Sequence, residues 1–166
     1  MSGGQNFNWR ALIGFELCWF ALVFWQSLAM VPVLLYWLYG FWRLNRRERV
    51  AVLLIMLVGL ALDSALVAAG VLSFSASPSL PLWFVLLWGV FALAAVEFMA
   101  KLLTKPWLAA LLGGSGGPLS YWGGAALSGG VLQFPSPLYA VIVLVIAWAL
   151  LAIALGQSRR FYVKAS

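Results

Sequence analysis

The chain has 166 residues, of which 65% are hydrophobic and only 8% charged, with a formal charge of +6 and a pI near 10.0. Soluble domains carry about 25% charged residues, so this composition excludes a water-soluble fold and the length allows a single integral-membrane domain over 1–166. No histidine is present and Cys18 is the only cysteine, which excludes His-ligated haem, histidine-dependent triads, an internal disulfide and a CxxC redox pair.

Six apolar spans can be read in chain order, at roughly 9–24, 28–42, 50–72, 82–102, 106–127 and 138–155. They predict an all-α, polytopic transmembrane bundle. The first two are short for a ~30 Å hydrocarbon core, which needs about 20 residues; Gln26, Ser27 and Pro32 mark a turn between them. The alternative is one long tilted helix over 9–42 and five spans in all. Arg10, the apolar run after it and Ser27-Leu28-Ala29 imitate a cleavable signal peptide. Glu16 inside the run, and a second span directly after it, predict that the segment is retained. Cys18 lies among apolar residues and reads as a small packed side chain.

The third span is full length and carries Asp63 about 13 residues in, roughly 20 Å from its start. An ionisable group at such depth is a functional candidate by default. Gly59, Asp63 and Gly70 share one helical face, which predicts a close helix neighbour. Asp63 is then either a hydrogen bonder between helices or a titrating group in a polar pathway. Glu48, beside Arg47 and Arg49, reads as a loop residue. The uncharged, turn-forming loop at 73–79 precedes the fourth span, which begins after Pro81. In it, Glu97 stands four residues before Lys101, the spacing of a helical ion pair. Glu16 lies at a similar depth, so if the first and fourth spans are neighbours the two carboxyls can share a proton or hold a cation.

The fifth span is glycine-rich. Gly113 and Gly117 form GxxxG, while Gly116, Ser120 and Gly124 extend a second small-residue face. Pro118 removes one helical hydrogen bond. The pattern predicts a packing seam, or else a broken helix in which Ser120 and Tyr121 line a cavity. The sixth span is plain Val, Ile, Leu and Ala and reads as largely lipid-facing. Trp9, Trp42 and Trp107 at one set of span ends, and Trp25, Trp83 and Tyr139 at the other, fit interfacial belts; the mid-span Trp19, Trp37, Trp88 and Trp148 read as packing residues.

With six spans, all ten basic residues fall on one side: Arg10, Arg43, Arg46, Arg47, Arg49, Lys101, Lys105, Arg159, Arg160 and Lys164. Because such residues stay cytoplasmic, the expected location is the bacterial inner membrane with both termini inside. Their placement beside spans points to topology and anionic lipid rather than to nucleic acid.

The stretches Phe15-Glu16-x-x-Trp19-Phe20, Leu62-Asp63-Ser64, Pro81-Leu82-Trp83, Leu87-Trp88, Phe91-Ala92 and Gly116-Gly117-Pro118-Leu119-Ser120-Tyr121, in this order and spacing, resemble a family of small bacterial inner-membrane proteins called domain of unknown function 2878. Asp63 and the Gly-Gly-Pro stretch follow the family pattern, whereas Glu16, Glu97 and Ala126 stand where it has glutamine, histidine and arginine. The resemblance implies a polytopic protein whose genes lie near fatty-acid-modifying methyltransferase-like enzymes, and hence a lipid-related role.

The expected function is therefore a non-enzymatic, lipid-associated accessory or scaffold factor. Its partners would be membrane lipids and a second copy or membrane protein docked on the fifth span, with no cofactor, metal or catalytic residue. The alternative is a small proton-coupled carrier or flippase using Asp63 with Glu97 and Glu16.

Overall fold

The structure is a computed structural model that describes residues 8–75 and 77–162; Lys164 lies outside the described residues. Over the described residues it is all-helical apart from one pair of two-residue strands. Among the described residues, four stretches are long and apolar enough to cross a membrane: Trp9–Arg43, Arg46–Ala68, Leu82–Leu102 and Pro137–Tyr162.

The first of these is folded back on itself. Helix α1 (Trp9–Trp25) starts at Asn8, whose side chain accepts the Ala11 N–H at 3.2 Å, and stops at Gln26, a non-glycine residue with φ +47°. A 3₁₀ turn over Gln26–Ala29 leads into α2 (Met30–Arg43). The Tyr36 hydroxyl then lies 3.5 Å from the Arg10 carbonyl, 26 residues away in sequence. A straight helix would hold those residues about 39 Å apart. Gly14 makes this hairpin possible, because a Cβ there would overlap the Tyr36 ring. The single-long-helix alternative is thereby excluded.

Helix α3 (Arg46–Ala68) starts four residues before the predicted span. Asn45 Oδ1 accepts the N–H groups of Arg47 and Glu48 at 2.9 and 3.0 Å, and Glu48 returns its carboxylate to the Asn45 N–H at 2.9 Å. Glu48 is thus the far half of a capping box, not a loop residue. At the other end Gly70 takes φ +70° and the Val71 N–H closes on the Leu66 carbonyl at 2.9 Å. Gly70 is a helix terminator of the left-handed kind and no part of the Gly59–Asp63 face, where the sequence reading had put it.

Helix α4 (Leu82–Leu102) follows Pro81 and contains a π-helical turn at Ala95–Met99. It is the central helix. Of its most apolar stretch 67% is buried, against 28%, 28% and 33% for the other three. Trp83, expected in an interfacial belt, is buried and packs edge-on against Phe74 and Phe84. Its sequence position at the helix start was interfacial, but β1 (Ser73–Phe74) folds over it. That strand pairs antiparallel with β2 (Leu132–Gln133), joining Ser73 to Gln133 and Phe74 to Leu132.

Helix α5 (Pro106–Leu127) runs unbroken through Pro118, so the broken-helix alternative does not hold. Its Gly113–Gly117 face is filled by α6 (Pro137–Tyr162): a Cβ on Gly113 would meet Ala152 and the Trp148 carbonyl, and one on Gly117 the Trp148 ring. Close backbone approach of this kind is what packs helices where lipid is as apolar as the side chains. At one end of the bundle Arg10 and Arg43 both sit over the Tyr39 ring and Arg49 donates to the Phe41 and Trp42 carbonyls. The opposite end holds the connections around Gln26, β1 and β2, where the Gln26 amide donates to the Ser128 carbonyl at 3.1 Å.

Candidate functional site

Asp63 is fully buried. Both of its oxygens are engaged by donors from two other helices. Trp88 Nε1–H of α4 donates to Oδ2 at 2.6 Å, and the Tyr121 hydroxyl of α5 lies 2.7 Å from both Oδ1 and Oδ2. Gly59, one turn before Asp63, leaves the space that the Trp88 ring fills. Trp148 of α6 stacks on Trp88 with ring centres 5.7 Å apart and meets Tyr121 edge-on at 5.9 Å. Asp63 therefore ties α3, α4 and α5 together inside an aromatic cage. Tyr121 was a candidate from sequence, but Trp88 was read as a packing residue only. The Gly59–Asp63 face signalled a neighbour without naming it.

A small cavity of about 50 Å³ lies beside this network, lined by Trp88, Tyr121, Trp148 and Ser120 among others. It shares Phe15, Trp19, Phe91, Ser120 and Trp148 with a larger cleft of about 500 Å³. The cleft lies between α1 and the α5–α6 hairpin. Gly116 faces into it, with the packed Gly113 and Gly117 at its edge, and its walls include Leu102, Leu112, Leu119 and Leu155. The two sides meet toward the uncharged end, where Trp19 Nε1–H donates to Ser120 Oγ at 3.0 Å and the Trp19 ring lies over Gly123. Toward the basic end they diverge. Gly116 has open space where a Cβ would stand. Glu16, exposed on α1, is the one ionisable side chain among the cleft's lining residues.

The remaining acid, Glu97, does not pair with Lys101. The π turn displaces the i,i+4 register, and Glu97 instead forms an ion pair with Arg10 of α1. The Arg10 guanidinium also sits 6.0 and 5.8 Å from the ring centres of Tyr36 and Tyr39 on α2. Helices α1 and α4 are indeed neighbours, yet the expected Glu16–Glu97 pairing does not form. Six residues along a helix turn Glu16 about 120° away from Arg10, into the cleft. Glu97→Gln keeps one acceptor for Arg10 but leaves its charge without a counter-ion, so it is expected to lower stability by about 1–3 kcal/mol, read as a drop in thermal unfolding in detergent. A loss of the folded state would contradict this.

The family described as "Protein of unknown function (DUF2878)" matches residues 8–154. No curated protein and no solved structure matches the chain.

Proposed function

We propose that this chain, which belongs to the DUF2878 family over nearly its whole length, is a non-enzymatic, lipid-associated factor of the bacterial inner membrane that seats a lipid in its lateral cleft. The cleft carries this reading. Its volume of about 500 Å³ falls in the ~300–1,000 Å³ range of small-molecule sites. Its walls are apolar, Gly116 leaves open space where a chain can come close to the backbone, and Leu102, Leu112 and Leu119 among its lining residues are exposed. The carrier or flippase alternative has less support: Asp63 is sealed behind Trp88 and Tyr121, and Glu97 is occupied by Arg10.

In this reading the bundle crosses the membrane six times with both termini in the cytoplasm. Helices α1 and α2, about 25 and 21 Å long at 1.5 Å per residue, cross as a short hairpin in a locally thinned bilayer. Alkaline phosphatase fusions are expected to be active after Ser77 and Gly130 and inactive after Asn45 and at the C-terminus. An active fusion after Asn45 would overturn the topology.

The lipid reading is tested by mass spectrometry of lipid co-purifying with the protein. Gly116→Phe adds a ring where nothing now stands within 4 Å. It is expected to leave folding intact and displace the bound lipid. Unchanged lipid in that variant would refute the cleft as its seat.

A further inference from the structure

We infer that Arg46 and Arg47 form a headgroup site for an anionic phospholipid, of the phosphatidylglycerol type, whose acyl chains lie along α3; this rests on the membrane orientation proposed above and not on the cleft. The turn from α2 to α3 carries four arginines and one glutamate within 43–49. Two of those arginines and the glutamate serve the fold. Arg43 Nη1–H donates to the Tyr39 hydroxyl at 2.7 Å, and Arg49 donates to the Phe41 and Trp42 carbonyls at 3.2 and 2.8 Å. Glu48 is held in the capping box, and Arg10, over the same Tyr39 ring as Arg43, is paired with Glu97. Arg46 and Arg47 are exposed, and among the described residues their side chains make no hydrogen bond or ion pair. Both stand in the first turn of α3, where a helix disfavours cations, so neither supports the helix. Asn45 already takes the N–H groups of Arg47 and Glu48, which leaves the two guanidiniums to read an anion.

The surface below them identifies the anion. At about 3.6 residues per turn, Val50, Leu54, Leu57 and Val58 share the helix face of Arg46 and Arg47, and all four are exposed. From Arg46 to Val58 this face runs about 18 Å along the axis. Its order is two cations followed by aliphatic surface, the order of phosphate and acyl chain in a phospholipid. Trp42, exposed at the end of α2, fits the headgroup level, where such rings collect. A guanidinium meets phosphate with paired N–H···O bonds. A soluble phosphate would leave the aliphatic face unused. A phosphatidylcholine would bring its own cation to the two arginines.

The test is a titration of the detergent-purified protein with dioleoyl phosphatidylglycerol and dioleoyl phosphatidylcholine, followed by native mass spectrometry. The wild type is expected to prefer phosphatidylglycerol by about thirtyfold, the value of two interfacial arginines. In the double variant Arg46→Gln, Arg47→Gln the preference should fall to within about threefold, while Arg43 and Arg49 still hold the turn. The double variant Lys101→Gln, Lys105→Gln removes two exposed lysines of another connection and should keep the preference. Gly116→Phe, altered in the cleft, should keep it too. Equal affinities in the wild type, or a preference that survives loss of both arginines, would overturn the site. An equal fall in the lysine variant would replace it with diffuse attraction to basic loops. Loss of the preference in Gly116→Phe would move that lipid to the cleft and overturn the arginine site. Displacement by inorganic phosphate would overturn the lipid as its occupant.

Discussion

Asp63→Leu is expected to destabilise the folded bundle by about 2–4 kcal/mol. The substitution leaves the Trp88 N–H and the Tyr121 hydroxyl buried without their acceptor. Each such loss costs about 1–3 kcal/mol in a protein interior, and interhelical hydrogen bonds in membranes fall toward the lower part of that range. Asp63→Asn is expected to cost less than about 1 kcal/mol. The new amide oxygen still accepts from Trp88, and the Tyr121 hydroxyl can rotate to accept an amide N–H. The effect belongs to helix association after insertion, so both variants should still reach the membrane. Unfolding in mixed detergent micelles, followed by tryptophan fluorescence, separates them. Tyr121→Phe in the Asp63→Leu background should recover part of the loss, since it deletes one orphaned donor. If Asp63→Leu unfolds at the wild-type midpoint, the carboxyl does not hold α3, α4 and α5 together. If Asp63→Asn is as damaging as Asp63→Leu, the charge rather than the hydrogen bonds is what the site needs.

The features legible in the sequence are those fixed by composition and by short-range pattern. Hydropathy alone marks α3, α4 and α6 as membrane-compatible. Gln26 and Pro32 marked a reversal, and the chain turns back at Gln26–Ala29. Asp63 stood out because a carboxyl so deep among apolar residues demands a partner. Which partner it takes depends on how α4 and α5 rotate against α3, a tertiary outcome on which periodicity is silent. The Glu97–Lys101 expectation failed for a local reason. It assumed 3.6 residues per turn through Ala95–Met99, where the helix is π and Glu97 swings toward Arg10. Gly70 and Glu48 were misplaced because both helix ends of α3 moved toward the N-terminus, where Asn45 offered a better cap than the apolar boundary suggested. The cleft was only half legible in sequence: the glycine-rich span was read as a packing seam or as a broken helix lining a cavity, whereas Ser120 lines the cleft from an unbroken helix.

Those glycines divide into two faces, and neighbouring residues should answer the same substitution with opposite signs. Gly117→Ala is expected to cost about 2 kcal/mol, within the usual range for overpacking. The added methyl meets the Trp148 ring, and that ring cannot yield freely. It is stacked on Trp88 and edge-on to Phe91 and Tyr121, so its displacement passes to the donors of Asp63. Gly113→Ala should behave alike, because its methyl meets the Ala152 side chain and the Trp148 carbonyl and α5 and α6 must move apart. Gly116→Ala faces the cleft with nothing within 4 Å. It relieves the conformational freedom of a helical glycine, a gain of up to about 1 kcal/mol, and should be neutral or stabilising. Unfolding midpoints of the three variants, measured in the same detergent, decide the matter. Equal losses for Gly116→Ala and Gly117→Ala would mean that the Gly116 face is packed too, and that the cleft is closed in the folded protein.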